Sequence, residues 1–239
     1  FAATTMGFVL LRTPLVAALV LLCPPVVVWS LYESPSSSHV VAFESVGDFE
    51  KQVLSDDSMA WVISLYAAEG CESCEMVEAD FASATKDLLE TLGIRAAAVD
   101  VTNEVGVKIA KKLGSIDRVP SVVGVGGASS VNPYTKKPHR DVVPWLDMFK
   151  ANTFSVSNLK RWVGSKVLPA DVVVSKKESA TTSGKLPVAT LVTERTTTSA
   201  LAKSLAVALR GRLQLVEVQA KDQDLVTSFP ALLGPSSPD

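Results

Sequence analysis

The sequence predicts an α/β domain in which strands and helices alternate along the chain. Residues 61–66, WVISLY, are mostly β-branched, aromatic and apolar, which is typical of a buried central strand. After Cys74 the apolar residues recur three and four positions apart, which marks one face of a helix that runs to about Leu92 and ends at Gly93. Residues 94–101 return to a strand pattern, and this alternation favours helices packed on a sheet. The apolar positions of the helix are Val77, Phe81, Ala84 and Leu88.

Two cysteines, Cys71 and Cys74, lie where this strand passes into this helix and form a CxxC pair. The unpaired amides and the dipole at a helix N-terminus favour a thiolate, which is the form of cysteine that attacks a disulfide. The same spacing also supplies half of a zinc site, or an inert structural disulfide, so both are alternatives. The other candidate zinc ligands, Cys23, His39 and His139, have no paired ligand spacing, and we therefore favour thiol-disulfide exchange.

Composition and charge limit the classes of protein that the chain fits. Its 239 residues are enough for one or two domains. With 47% hydrophobic and 20% charged residues, the chain does not have the composition of a disordered protein. A net charge of -2 gives no electrostatic reason to expect nucleic acid as a partner. We also expect no metal and no cofactor.

An apolar segment near the start of the sequence predicts a membrane anchor. Residues 7–32 carry one charge, that of Arg12, and residues 13–32 carry none. As a helix rising about 1.5 Å per residue, such a segment would span the hydrocarbon layer of about 30 Å. A cleaved signal peptide that a double proline interrupts is the alternative. We favour a retained signal-anchor, with residues 1–38 as anchor and tether.

The charges on either side of this segment predict its orientation. Arg12 precedes the segment, whereas acidic residues follow it and the next basic residue is Lys51. Because Lys and Arg tend to stay on the cytosolic side, the soluble part of this single-pass protein is expected on the non-cytosolic side. We expect the membrane of the endoplasmic reticulum, with another organellar membrane as the alternative.

The remaining elements complete the first domain. Residues 126–154 contain an apolar group that we interpret as local packing rather than as a partner-binding patch. The group consists of Trp145, Leu146, Met148 and Phe149. In chain order we predict an edge strand at 40–43, a helix at 45–54, a helix that Thr102 or Asn103 caps and Gly114 ends, a strand at 122–125, and a closing helix at 155–163.

From residue 39 to about residue 125, the sequence resembles a thioredoxin-fold domain, and most of all the a-type domain of the protein disulfide isomerase family. The order of the elements, the CxxC after the central strand and the segment Val119-Pro120-Ser121 carry the resemblance. It implies a central mixed sheet flanked by helices, in a domain of residues 39–167, with an insertion relative to the family within residues 126–154. It also implies that Cys71 is the attacking thiolate and Cys74 the resolving thiol. Val119–Pro120 would be a cis peptide that presents its backbone to the substrate.

Several residues near the CxxC depart from that family's pattern. Ser73 stands where the family has a histidine, and Ser64 where it has a buried glutamate. The loop before Cys71 is one residue longer and lacks the tryptophan. Arg118 follows Asp117, which stands where an arginine is common.

These departures change the expected chemistry of the thiols. The negative charges of Glu69, Glu72 and Glu75 disfavour a thiolate at Cys71, and no histidine opposes them. We therefore predict a more reducing pair than that of a strong oxidase. The residues that we expect to modulate the pair are Glu72, Ser73 and Arg118.

The last part of the chain repeats the strand and helix pattern. Residues 168–185 have the composition of a linker, and residues 186–239 resemble a second thioredoxin-like domain of the b type, without cysteine and without the last strand and helix. Either this domain is curtailed or the sequence is a fragment of a longer one. Its predicted elements are a strand at 188–192, a helix at 198–210 with Leu201, Leu205 and Ala208 on one face, and a strand at 213–218.

Two functions from different classes fit these features. The first is a membrane-tethered thiol-disulfide oxidoreductase, similar to a protein disulfide isomerase, that acts on protein thiols and disulfides through its CESC motif. The second is a non-catalytic thioredoxin-fold accessory subunit of a larger membrane complex, such as an organellar respiratory or photosynthetic assembly. The first function is the one we favour.

Overall fold

A mixed five-stranded sheet with helices on both faces is followed by a smaller strand–helix–strand unit. The computed structural model describes residues 32, 38–114, 118–131, 138–146, 148, 154–168 and 186–220, and for 128–131 and 138 the backbone alone. In chain order the elements are β1 (Val40–Ala42), α1 (Val46–Phe49) with a π-helical turn (Glu50–Leu54), β2 (Trp61–Tyr66), α2 (Glu72–Leu92), β3 (Arg95–Asp100), α3 (Glu104–Lys112), β4 (Ser121–Val131), β5 (Pro138–Pro144), α4 (Val156–Trp162) with a second π-helical turn (Val163–Val167), β6 (Val188–Thr193), α5 (Ala200–Ala208) and β7 (Gln214–Gln219).

The large sheet has the strand order β1-β3-β2-β4-β5. Strands β1, β3 and β2 are parallel, while β4 runs antiparallel to both β2 and β5. The sequence prediction of β2 as the central strand and β1 as an edge strand is therefore confirmed. This arrangement is a thioredoxin-like fold.

The two faces of β2 bury different sets of helices. Val62 and Tyr66 belong to a core cluster that α2 and α4 cover, whereas Ile63 and Leu65 belong to a second cluster that α1 and α3 cover. The alternation follows from the period of two in a strand, which sends successive side chains to opposite faces. Because both faces of β2 are covered, its six residues are all buried.

The predicted helix ends agree closely with the observed ones. Ser45 and Asn103 cap α1 and α3 through their side-chain oxygens, each of which accepts the backbone N–H three residues on. Helix α2 ends at Gly93, whose φ of 64° is the left-handed conformation that glycine adopts without strain. Ser155 caps α4 in the same way.

The stretch predicted to hold an insertion contains one strand of a hairpin and the continuation of its partner strand. Strand β4 continues to Val131, six residues beyond the predicted end at 125, and pairs with β5 across a register shift between Val125 and Ser129. Glycine and serine residues hide this part of the strand from a pattern of apolar residues. The predicted apolar group divides: Trp145 stacks on Trp162 at 5.5 Å between ring centroids and is buried, as is Met148, whereas Leu146 is exposed. Phe149 lies outside the described residues.

A buried arginine fastens this hairpin to the loop after α1. Arg140 is only 4% exposed, and its guanidinium donates to the backbone oxygens of Gly126, Val53, Asp56 and Met59. Burial lowers the pKa of Arg140 to about 10, and Asp56 and Asp57 oppose that shift through their charge. The side chain thus satisfies four carbonyl groups at once.

The smaller unit packs on the first domain through helix α5. Strands β6 and β7 are parallel, and α5 connects them. Leu201, Leu205 and Ala208 do share one face of α5, but it is the exposed face. The packed face holds Ala202, Lys203, Ala206 and Val207, and it fits because the first domain has glycine opposite it. A Cβ at Gly127 would lie 2.1 Å from Val207, and one at Gly164 would lie 3.0 Å from Ala200.

The predicted membrane span falls almost entirely outside the described residues. Its last residue, Tyr32, is described, and it is buried in the core of the first domain, so the prediction that the span extends to residue 32 is wrong at that residue. Within the described part of the chain, none of the helices combines the length and the apolar character needed to cross a membrane. Of the predicted linker, only Leu168 is described, and it is buried in the core of the first domain. Residues 169–185 and the end of the chain after Ala220 lie outside the described residues.

Candidate functional site

Cys71 is the residue that begins helix α2. Its Sγ atom accepts a hydrogen bond from the backbone N–H of Cys74 at 3.2 Å, which is the bond of an N-cap residue. The two cysteines form a disulfide, so the structure represents the oxidised pair. When the disulfide is reduced, the same N–H and the helix dipole are available to stabilise a thiolate at Cys71.

The two cysteines differ in accessibility. Cys71 is partly exposed, whereas Cys74 is 2% exposed and belongs to the core cluster beneath α2. The difference arises because Cys71 precedes the first turn of the helix, while Cys74 lies on its inward face together with Phe81. Cys71 is therefore the more accessible of the two cysteines to a large partner molecule.

The loop between β2 and α2 carries the extra residue noted in the sequence. Gly70 has a φ of 69°, so the residue just before Cys71 uses a conformation that favours glycine. Earlier in the loop, the N–H of Ala68 donates to Asp100 Oδ1 at 3.2 Å. Asp100 ends strand β3, which lies beside β2 in the sheet.

A serine and several glutamates surround Cys71. Ser73 Oγ lies 3.5 Å from Cys71 Sγ, where a longer cationic side chain would reach the sulfur. Glu69, Glu72 and Glu75 are exposed on the loop and the first turn of α2. One turn further on, burial raises the pKa of Glu78, and the charge of Glu75 adds to the effect. The surroundings of the pair are thus acidic.

The Val119–Pro120 peptide bond is cis, as the resemblance implied. Ser121 pairs with Leu65 in the sheet, so Pro120 lies at the end of β2 from which the loop to Cys71 starts. Val119 and Cys71 both pack against the same core cluster. Arg118 is exposed beside this loop, and Asp117 lies outside the described residues.

Tyr32, a residue that the sequence did not single out, belongs to the same core cluster as Cys74. The hydroxyl of Tyr32 donates to Ser64 Oγ at 3.1 Å, and Ser64 is fully buried. The ring of Tyr32 packs edge-on against Tyr66 and Phe81, with centroid distances of 5.1 and 5.9 Å. Burial raises the pKa of Tyr32 well above its usual range, so its hydroxyl stays neutral at physiological pH. Two neutral hydroxyl groups therefore occupy the place of the glutamate that the resemblance would have put at position 64.

The described residues offer no group of three or more His, Cys, Asp or Glu side chains that could hold a metal ion. His39 instead hydrogen-bonds Thr85 on α2, with 2.9 Å between Nε2 and Oγ1. His139 lies 3.5 Å from Asp141 on strand β5.

Fold and site together define a thioredoxin-like domain with a CxxC pair at the start of the helix that follows its central strand. Comparison with known proteins finds no matching family model and no matching curated protein. Among solved structures, the chain is similar to ERdj5 in crystal form II, with 12% identity over 84% of this chain and 25% of that one, at a TM-score of 0.45. It is similar to human ERp44 in a zinc-bound form, with 13% identity, 73% and 46% coverage and a TM-score of 0.40. It is also similar to the first two thioredoxin domains of Naumovozyma dairenensis Eps1p, with 11% identity, 85% and 83% coverage and a TM-score of 0.41.

The chain thus spans a quarter of the ERdj5 chain and less than half of the ERp44 chain. At these identities and TM-scores, the activities of those proteins carry no argument for this one. The functional inference rests on the geometry of the cysteine pair.

Proposed function

We propose that this chain is a thiol-disulfide oxidoreductase that works through Cys71 and Cys74. The observation that carries the proposal is the unequal exposure of the two cysteines at the start of α2: Cys71 is partly exposed, while Cys74 is only 2% exposed. An inert structural disulfide needs no such asymmetry. A two-step exchange needs one accessible nucleophile and one shielded thiol that reacts only within the molecule.

The reaction follows from this placement. In the reductive direction, the Cys71 thiolate attacks one sulfur of a substrate disulfide, the substrate S–S bond breaks, and the other substrate sulfur leaves as a thiolate. Cys74 then loses its proton and attacks Cys71 Sγ in the mixed disulfide. The Cys71–Cys74 disulfide forms, the second substrate sulfur is released, and two electrons have passed to the substrate. Oxidation of a substrate dithiol is the reverse sequence.

The remaining site residues support roles in the same reaction. Val119 and Pro120 lie at the end of β2 from which the loop to Cys71 starts. They are proposed to present backbone groups to the substrate beside Cys71. Glu72, Ser73 and Arg118 are proposed to tune the thiols by charge and hydrogen bonding. Protein thiols and disulfides are the proposed substrates. Membrane attachment through the apolar segment before Tyr32 and a non-cytosolic location remain part of the proposal on the sequence evidence alone.

Trapping of mixed disulfides tests the proposal. Cys74→Ser removes the resolving thiol, so a substrate caught by Cys71 stays attached until a reductant is added. We expect Cys74→Ser to form reductant-sensitive adducts with partner proteins in native membranes. Cys71→Ser is the matched control, because it keeps the buried thiol and loses the accessible one, and it should form none. Adducts of equal yield in both variants, or in neither, would contradict the proposal.

A non-catalytic accessory role is the second candidate, and one observation favours it. Helix α5 exposes Leu201 and Leu205 at 52% and 45%, one turn apart. If this face binds a subunit of a membrane complex, Leu201→Asp should release the chain from that complex while leaving thiol exchange unchanged. Retention in the complex would exclude this face as the contact.

A further inference from the structure

We infer that Asp100 is a positioning residue for Cys71, and this inference rests on the proposed function. Asp100 ends strand β3, and its carboxylate accepts hydrogen bonds from three residues, Ala68, Thr102 and Asn103. Oδ1 accepts the N–H of Ala68 at 3.2 Å and the N–H of Thr102 at 2.9 Å. The hydroxyl of Thr102 lies 2.7 and 2.9 Å from the two oxygens, and Asn103 Nδ2 lies 3.3 Å from Oδ2. The side chain of Asp100 therefore joins the loop between β2 and α2 to the start of α3.

The bond to Ala68 lies close to the nucleophile along the chain. Only Glu69 and Gly70 separate Ala68 from Cys71. On the other side of Ala68, the N–H of Val101 donates to the carbonyl oxygen of Tyr66 at 2.8 Å. The loop is thus fixed at two points to the end of β3, and the second of these points is the carboxylate.

Side-chain packing does not replace this hydrogen bond on the β3 side of the loop. A cleft of about 230 Å³ opens there, and both Ala68 and Asp100 line it together with Phe43 and Asn103. Because the loop faces open space rather than packed apolar atoms, its position on that side depends on polar contacts. Loss of the Ala68–Asp100 bond would free the loop on this side, while Ala68 stays packed against the core cluster on its other side and Val101 stays bonded to Tyr66.

The carboxylate is itself held rigidly. Asn103 caps α3 by accepting the N–H of Gly106 at 2.8 Å. Gly106 packs so closely that a Cβ there would lie 1.8 Å from the backbone oxygen of Asp100. Residues 100–106 therefore form a fixed platform, and Asp100 transmits its position to the loop. A displacement of a nucleophile by about 1 Å costs up to about a hundredfold in rate, so such a platform matters for exchange.

Three substitutions of Asp100 separate the position of the carboxylate from its charge. Asp100→Asn removes the charge but keeps an oxygen that can accept the N–H of Ala68. Asp100→Ala removes both, and Asp100→Glu keeps the charge but moves it by one methylene group. If Asp100 acts by position, Asp100→Ala and Asp100→Glu should slow alkylation and exchange at Cys71 by about tenfold and shift the pH profile of alkylation. Asp100→Asn should stay within about twofold of the unsubstituted protein.

The full chain is reduced and reacted with iodoacetamide between pH 4 and 10, and with a small peptide disulfide at neutral pH. Thr102→Val is the matched control, because it removes a hydroxyl contact to Asp100 but leaves the bond to Ala68, and its rate and pH profile should be unchanged. Equal effects of Asp100→Asn and Asp100→Ala would assign the role to charge and overturn the inference, as would equal effects of Asp100→Ala and Thr102→Val. If Asp100→Ala does not fold, Asp100→Glu against Asp100→Asn decides in the same way. These readouts use small reagents, so failure to capture protein substrates would count against the proposed function alone.

Discussion

Ser73→His should make Cys71 a better thiolate and the pair a stronger oxidant. Ser73 Oγ lies 3.5 Å from Cys71 Sγ, so an imidazolium at this position would lie about 4 Å from a thiolate charge. The site is partly exposed, and two unit charges at that distance attract by about 1 to 4 kcal/mol as the effective dielectric constant falls from about 80 to about 20. Near the lower part of that range, the pKa of Cys71 should fall by about 1 to 2 pH units. The reduction potential should rise by about 30 mV for each 1.4 kcal/mol.

The pH dependence of iodoacetamide alkylation of the reduced protein gives the pKa, and equilibration with glutathione buffers gives the potential. Ser73→Asn is the control, because it adds bulk and hydrogen bonding without charge, and it should leave both values near those of the unsubstituted protein. An unchanged alkylation profile in Ser73→His, with the fold intact, would refute the electrostatic reasoning. So would an equal shift in Ser73→Asn.

Three further predictions concern the stability of the fold. Arg140→Ala should lower the free energy of unfolding in urea by about 3 to 5 kcal/mol, because it leaves buried carbonyl groups without a donor. Arg161→Ala, on the exposed side of α4, is the control and should change it by less than about 0.5 kcal/mol. Equal losses in the two variants would contradict the role given to the Arg140 hydrogen bonds. Burial and the charge of Lys86 lower the pKa of His39, so the folded state favours the neutral ring. The contribution of His39 to stability should be fully present above about pH 6.5 and should fall as the pH drops below it. His39→Gln should make the free energy of unfolding less dependent on pH in this range. Gly127→Ala should cost about 1 to 3 kcal/mol because its Cβ would lie 2.1 Å from Val207, and a second change, Val207→Ala, should recover part of the loss if the contact is the cause.

The sequence predicts the first domain well where local rules act alone. Strand β2 has its predicted bounds because a fully buried strand leaves a continuous apolar run. Helix α2 has its predicted end because Gly93 is needed for the left-handed residue that terminates it. The positions of Cys71 and Cys74 follow directly from these two elements, so the centre of the candidate site could be found without coordinates.

The sequence fails where a contact joins distant parts of the chain. Alanine and valine lie on one side of α5 and leucine on the other, so the sequence alone does not tell which side packs on the first domain. Glycines at 127 and 164 leave room for the side that carries alanine and valine. Arg140 gives no local signal, since its partners are backbone oxygens up to 87 residues away. Asp100 reads as an ordinary strand end, and only the coordinates bring it to Ala68. Tyr32 is concealed in the apolar run before the domain.

The reduction potential of the Cys71–Cys74 pair tests the proposed function most directly. The helix N-terminus stabilises a thiolate at Cys71 by about 0.3 to 1 kcal/mol, while three exposed carboxylates oppose it and Ser73 supplies no cation. The full chain is equilibrated with dithiol and glutathione buffers, and the oxidised and reduced fractions are counted by mass after thiol alkylation. We expect a reversible two-electron couple nearer to about -270 mV than to about -180 mV. A disulfide that stays oxidised below about -300 mV would be a structural bridge, and it would contradict the exchange function.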